Sequence, residues 1–512
     1  MISRVALPVL ALAALCAARV CSAGEVVCFS PGEGKTCSQS SLQHVQFKAV
    51  VTEFIDPQQT TIGHSISRLM WREVLESISD LKDSGVILAY DARDQLRTML
   101  EGRDYQTVLQ RDYHNAAIRV ANELGAQMTV WGAVLEHDGT LHVEPYLTLL
   151  PKGNDRWTKL QLQVEGSGSS PLSAEIANQR LSFAPLQTDR AHLFQHNWLT
   201  RCRLSAGCPE GIDVRNAPGN EAPVIGHVPV GSIVAGRDMH EQWVAIDRAG
   251  IDTATDTSAG APGTGADSGP GYINVYHLEV VAPAVHVLSK AVRLRAQPSS
   301  NAAVLDVSAP AGATLETRGV QRAADDRLWY NVEVRGARGW VPPETVQRDY
   351  SFPVVHFIAG VYRYAGKDYG RAIQEFQRFI ERGENTEDNV TLATAYQYLA
   401  ASKVAAGGTD GIMAARNAMN DLQQASRQTP YDPSVYVMSS LIRLGTMSDA
   451  KGALMDLRRS LDLDSQNPTA ITLLTSLSSI AEAHRTDAPL YGEDPRVFKA
   501  EVTSLRDRQN TQ

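Results

Sequence analysis

The stretch Gly211–Gln347 writes one short pattern twice, and a tandem duplication of this size dictates how the rest of the chain must be laid out. The first copy reads GIDVRNAPGNEAPVIGHVPVGSIVAG and continues to QWVAI; the second reads AVRLRAQPSSNAAVLDVSAPAGATLETRG and continues to LWYNVEV and GWVPPETV. Val214-Arg215 matches Leu294-Arg295 and Pro218 matches Pro298, both 80 residues apart, while Gly231 matches Gly312 at 81 and Trp243 matches Trp329 at 86. Each copy opens on an extended segment whose arginine is expected to face solvent before a proline-shaped turn, and a glycine then permits a tight bend. Trp243 and Trp329 begin strands with alternating apolar positions: Val244 and Ile246 in one copy, Tyr330, Val332 and Val334 in the other. Each copy closes on an aromatic after glycine, at Gly271-Tyr272-Ile273 and Gly339-Trp340-Val341. The expectation is two small all-β barrels.

These paired motifs resemble bacterial Src-homology-3-type barrels, modules common in exported, wall-associated proteins. The resemblance sets a first barrel at 201–283 and a second at 284–350. Segment 251–271 interrupts the first with glycine, alanine, threonine and aspartate but no lysine, arginine or bulky aromatic before Tyr272. Such a composition cannot bury a core and reads as a disordered loop between two strands.

Ahead of the repeats the chain starts as an export signal, residues 1–23: Arg4, the apolar run Val5–Ala14, and Cys21-Ser22-Ala23 with small residues before the cut. That run is too short to span a bilayer. Leu15 and Val20 stand where a lipid-modification signal wants a small residue, which disfavours lipidation at Cys16 or Cys21. Cys28, Cys37, Cys202 and Cys208 survive processing as two close pairs in a chain bound for an oxidising compartment, so disulfides Cys28–Cys37 and Cys202–Cys208 are expected. Zinc is the rival, though neither pair has metal-ligand spacing.

Residues 24–200 alternate strand-like and helix-like patterns. QFKAVVTEFI stops at Asp56-Pro57; Ile62, Ile66, Leu69, Met70, Val74, Leu75 and Ile78 follow at helical spacing; VILAY is a buried-type strand; and 94–124 is mostly helical. Met128–His137 and Thr140–Leu150 then flank Asp138-Gly139, a hairpin turn. FKAVVTEFIDP, GHSISRLMWREVLES and ELGAQMTVWGAVLEHDGTLHVEPYLTLL resemble the N-terminal α/β domain of TolB and CsgG-like envelope domains. That resemblance implies an interaction domain rather than a catalyst.

From Val354 the period becomes helical. Gly360, Tyr369, Ala372 and Phe376 fall at the small and aromatic positions of a tetratricopeptide unit, and Asp432-Pro433 and Asn467-Pro468, 35 apart, bracket a later one. Residues 351–490 read as tetratricopeptide-like helical repeats and 491–512 as a tail. The fold class is therefore multidomain: an α/β (or α+β) N-terminal domain, two small all-β barrels and an all-α helical-repeat stack.

No catalytic constellation emerges. Gly34-Lys35-Thr36 lacks the upstream glycine of a phosphate loop, because Phe29 stands there. His192 and His196 are spaced i, i+4 without a Glu-x-x-His partner motif, and no G-x-S-x-G elbow occurs. The net charge of −9 argues against nucleic acid as a partner. No cofactor, metal or integral membrane segment is expected. Candidate ligand contacts are the aromatics Trp243, Tyr272, Trp329, Tyr330 and Trp340, with Tyr362, Arg363, Tyr396, Tyr436 and Arg443 on the inner helices of the stack. The function expected is a non-catalytic periplasmic scaffold for envelope proteins or peptidoglycan peptide, with outer-membrane association left open. The alternative is a regulatory subunit whose α/β domain docks on a wall or secretion enzyme.

Overall fold

The computed structural model describes residues 45–511 except 59–60, 82–83, 90–107, 153–154, 168–170, 177–179, 203–206, 248–268, 289, 324–326 and 408–410. The signal segment, Gly34-Lys35-Thr36, the Cys28–Cys37 pair and most of loop 251–271 lie outside the described residues. No described helix is long and apolar enough to cross a membrane.

The first unit is built on β1 (Phe47–Thr52), α1 (Ile62–Ser77) and β2 (Ser84–Ala89), with β1 and β2 parallel as a helical crossover requires. A π-helical segment, Val108–Tyr113, leads into α2 (His114–Glu123), and β3 (Met128–His137) joins β1 in parallel. β4 (Thr140–Leu149) returns antiparallel through Asp138 and Gly139, both at positive φ, the geometry of a two-residue hairpin turn. The sheet order is β2-β1-β3-β4-β7, where β7 (Arg180–Ser182) and β8 (Leu186–Asp189) both pair with β4. A separate hairpin of β5 (Lys159–Leu162) and β6 (Leu172–Glu175) stands apart from this sheet.

The duplication is visible strand by strand. β9 (Asn197–Thr200), β10 (Ile212–Arg215), β11 (Val224–Val228), β12 (Ile233–His240), β13 (Trp243–Ile246), β14 (Gly271–Asn274) and β15 (Leu278–Val280) form one antiparallel sheet. β16 (Ala284–Val287), β17 (Val292–Arg295), β18 (Val304–Ala309), β19 (Thr314–Arg322), β20 (Leu328–Val334), β21 (Ala337–Val341) and β22 (Val346–Arg348) repeat the same order. Each hydrogen-bonded path is open: β11 and β15 end one, β18 and β22 the other, so the two expected small barrels are seven-stranded sheets that do not close among the described residues. β9 belongs to the first β unit, which therefore starts at Asn197, inside the segment 24–200 given to the α/β domain. A short helix, α3 (Arg190–Phe194), precedes it, N-capped by Asp189. Just beyond β9, Cys202 and Cys208 are disulfide-bonded.

The arginine of the repeated motif is not a solvent-facing residue. Arg215 donates to the carbonyl of Ala222 at 2.5 Å and Arg295 to that of Ala302 at 2.9 Å, each clipping the turn seven residues on. Registers confirm the alignment of the aromatics: Tyr272 lies opposite Arg215 and Trp340 opposite Arg295.

The helical part comprises α4 (Pro353–Ala365), α5 (Tyr369–Gly383), α6 (Asn389–Ala406), α7 (Gly411–Gln428), α8 (Pro433–Ile442), α9 (Ala450–Leu463), α10 (Pro468–Ala483) and α11 (Pro495–Thr511). Asp432 and Asn467 cap α8 and α10, each followed by proline at the first helical position, where its missing N–H costs nothing. The presumed tail is instead a helix closing the stack. Phe498 and Val502 of α11, four residues apart, are buried, and Phe498 meets the Tyr491 ring at 5.4 Å.

Gly360 shows how tightly α4 and α5 pack: a Cβ there would sit 2.7 Å from the Phe376 ring. Gly360→Ala is expected to cost about 1–3 kcal/mol through overpacking, read as a lower urea midpoint, with Gly370→Ala, where a Cβ meets nothing, as the control.

Candidate functional site

The first helix of each repeat pair does not face solvent; it faces the chain's own α/β unit. α1 packs on α4, β7 on α6, and the β5–β6 hairpin on α8 and α10. Tyr364 donates to the Lys159 carbonyl at 2.8 Å, Thr391 to the Ser182 carbonyl at 2.6 Å, and Tyr491 to the Glu165 carbonyl. Tyr362 donates to the Gly85 carbonyl at 2.6 Å and is buried. The inner face of the stack is thus a docking surface already taken.

α1 is the element that the other units grip. Most of it is buried on all sides, including Arg72 and Glu73, so its charges must be answered by partners rather than water. Toward the first β unit, Arg72 donates to Glu76 at 2.7 Å and lies 3.6 Å from Glu279 of β15, while Glu76 accepts from the Val280 amide at 3.2 Å. Toward the second β unit, Glu76 meets Arg348 of β22 at 3.0 Å. Toward the stack, Glu73 accepts from the amides of Ser351 and Phe352 at 2.8 and 3.3 Å, just ahead of α4. In the turn after α1, Asp80 receives both Nη atoms of Arg363 at 3.0 and 2.6 Å.

Glu279 also accepts from Arg201 at 2.8 Å and Arg322 at 2.5 Å, so one carboxylate joins both β units to α1. Burial alone would raise its carboxyl, but Arg322, Arg72 and Arg201 outweigh that and hold it down at about 2. Burial likewise pushes Glu73 up, and the two amides offset it only in part. For Asp80 the balance goes the other way, with Arg363 overcoming desolvation and lowering the carboxyl.

Where these groups converge, a cleft of about 750 Å³ opens between α1, β15, the β19–β22 part of the second β unit, and α4–α5. Leu75, Leu288, Leu328, Pro343 and Val346 supply apolar wall. At its rim Arg327 pairs with Glu344 and Arg371 with Asp80. A second buried cluster lies beside it: His356 contacts Glu375 at 2.8 Å, and Arg378 pairs with Asp349 at 2.7 Å, tying the end of the second β unit to α5.

Of the ten candidate contacts, only Tyr330 and Arg363 line this cleft. Both are buried, Tyr330 in the β core and Arg363 in its ion pair with Asp80, so neither is a groove-facing contact on the inner helices or an open barrel aromatic. Trp243 and Trp329 are core residues. Tyr272 and Trp340 are half-buried on the sheets. Tyr362 is consumed by α/β docking, Tyr436 donates to the Pro430 carbonyl, Arg443 is held by Asp449 and Asp456, and Tyr396 is half-buried on α6. Sequence reasoning missed Arg201, Glu279, Arg322, Arg348 and Arg371. The available signal was the run Arg72-Glu73 and Glu76, charges set within an apolar helix.

One docking contact is built to respond to pH. Glu387, before α6, accepts from the Ala184 amide at 2.7 Å. Burial pushes its carboxyl up to about 7, with Asp388 adding to the effect and the amide opposing it. The folded value lies above the ordinary carboxylate range, so the folded state binds the proton more tightly. The stabilisation is fully present below about pH 4.5 and is lost as pH rises through 7. Glu387→Gln, which keeps an acceptor, is expected to raise stability at pH 8 by on the order of 2 kcal/mol and to change little at pH 4.5. Thermal midpoints of both proteins across that range check it.

No family model and no curated protein matches the chain. Among solved structures it is similar to NlpC1 from Trichomonas vaginalis, at 13% identity and a TM-score of 0.14, over 30% of this chain and 46% of that one. It is similar to NlpC2 from the same organism at 12% identity and a TM-score of 0.14, over 41% and 67%. A thermophilic TPR protein of Thermus thermophilus shares 15% identity at a TM-score of 0.23, over 32% and 74%. The chain spans under half the length of the first of these. Such distant likenesses assign no activity.

Proposed function

We propose that the chain is an exported, non-catalytic scaffold whose helical repeats clamp its own α/β unit, leaving the paired β units to present a ligand in the cell envelope. The observation that carries this reading is α1: one helix and the turn after it are held through Glu279, Arg348, Ser351 and Arg363 to both β units and the stack. Perturbed groups occur in structural ion-pair networks as well as at functional sites, and here Glu279 and Asp80 serve in ion pairs that join units, which suits a rigid platform. The likeness of the two β units to Src-homology-3-type modules and of the first unit to TolB and CsgG-like domains supports an envelope setting and wall peptide or envelope proteins as partners.

The test is co-sedimentation of the mature chain with isolated peptidoglycan, together with affinity capture from envelope extract. The reading expects retention that survives the double substitution Tyr272→Ala and Trp340→Ala only in part. A folded protein that neither sediments with the wall nor captures an envelope protein contradicts it.

A further inference from the structure

We propose that the β10–β11 hairpin of one molecule binds the β17–β18 hairpin of a second copy of this chain, joining copies head to tail. The inference goes beyond the scaffold reading and stands without it.

The two hairpins occupy the same place in the duplicated β units, and the duplication has left both exposed in the same way. β11 and β18 each end a sheet, so one side of each strand carries no ladder. Val224 opens β11 at 44% exposure, and its counterpart Val304, 80 residues on, opens β18 at 49%. A matched pair of open edges with exposed valines is a template for pairing with another chain.

The charges of the two hairpins have diverged to opposite signs. Glu210 matches Lys290 and Asp213 matches Arg293, both at the 80-residue spacing that relates Arg215 to Arg295. Residues 210–228 hold Glu210, Asp213, Glu221 and Arg215, a net charge of −2; residues 290–309 hold Lys290, Arg293, Arg295 and Asp306, a net charge of +2. Arg215 and Arg295 are committed to clipping their own turns. The reversed positions face solvent: Lys290 and Arg293 are exposed, and the side chains of Glu210 and Asp213 are 83% and 55% exposed. Asp213 lies 3.7 Å from Arg215 and Glu210 lies 3.6 Å from His227, surface pairs too weak to fix either carboxylate.

These signs select the pairing. Two β10–β11 hairpins, or two β17–β18 hairpins, repel each other edge to edge, whereas one of each attracts. The attraction is not a tight ion pair. Strands lie about 4.8 Å apart, so charges on β10 and β17 across the joint have Cα atoms roughly 14 Å apart before the long basic side chains shorten the gap. That distance is comparable to the screening length of about 10 Å in 0.1 M salt. The valines and the open strand edges supply contact, and the charges choose the partner. Because the two surfaces differ, each copy keeps one of them free after pairing, and growth continues into a ring or an open chain rather than stopping at a dimer. A joint between two short strands is of the weak, reversible class, below about 1,000 Å².

Sedimentation equilibrium of the full mature chain at protein concentrations up to about 1 mM tests this. In 0.1 M salt the average mass should climb past that of a dimer. In 1 M salt, where the screening length is about 3 Å, association should weaken severalfold. Glu210→Lys with Asp213→Arg makes both hairpins basic, and Lys290→Glu with Arg293→Asp makes both acidic. Each double variant alone should associate about tenfold more weakly than the wild type. An equimolar mixture of the two should recover association, and so should the chain carrying all four substitutions, whose hairpins have exchanged signs. That chain also controls for folding, since it contains every change at once. The proposal is overturned if the wild type stays monomeric, if either double variant associates as well as the wild type, or if neither the mixture nor the fourfold variant recovers. Growth that stops at a dimer overturns it too, because that is the mark of a two-fold joint between like hairpins.

Discussion

Arg72→Ala should destabilise the protein by about 3–5 kcal/mol, the largest single effect expected outside the hydrophobic core. Arg72 is wholly buried and lies between Glu76 at 2.7 Å and Glu279 at 3.6 Å. Removing it leaves Glu76 in a water-poor site with Arg348 as its remaining guanidinium partner, 3.0 Å away. Glu279 is better protected, since Arg201 and Arg322 still hold it. The loss should accordingly fall mainly on Glu76, and Arg72→Met with Glu76→Gln should recover part of it, because replacing a whole buried pair costs less than orphaning one member. Chemical denaturation followed by circular dichroism, with the single and double variants compared in a cycle, measures this directly.

Arg363→Ala should cost about 2–4 kcal/mol. Its guanidinium is buried, forks onto both oxygens of Asp80, and donates again to the Ser77 carbonyl at 3.0 Å, which closes the C-terminal end of α1. The estimate is lower than for Arg72 because Asp80 is half-exposed and keeps Arg371 as a partner, so screening softens the loss. Arg363→Lys should not rescue it, since an ammonium cannot present a planar fork to the carboxylate and a third bond to the carbonyl. The effect should appear as undocking before unfolding, with α4 and the β5–β6 hairpin becoming protease-sensitive at denaturant concentrations that leave the β units intact.

Much of the architecture was legible because it rests on periodicity. The succession of strands and helices in the first unit as far as the Asp138-Gly139 hairpin, the doubled β pattern and the capped helix pairs all follow from local rules that a sequence displays. The failures were of two kinds. β9 was missed as a repeat strand because Asn197–Thr200 is short and its partners, β12 and β15, lie far along the chain. α11 reads as a tail in the sequence because its stripe, Phe498 and Val502, is sparse on a polar helix. The site was legible only in part for a deeper reason. Tyr362 and Arg363 look like groove residues on an inner helix, and nothing local says that the groove is filled by another part of the same chain. The cleft's arginines come from β9–β10, β19–β20, β22, α4 and α5, and only the docking of units brings them together.

Native-state hydrogen exchange on the full chain, with and without Arg72→Ala, tests most directly whether α1 locks all units into one body. If it does, amides of α1, β15, β22 and α4 should open together, and a loss of about 3 kcal/mol should speed their exchange roughly 100-fold in concert. Faster exchange confined to α1 and β15, with β22 and α4 as protected as in the wild type, would contradict it.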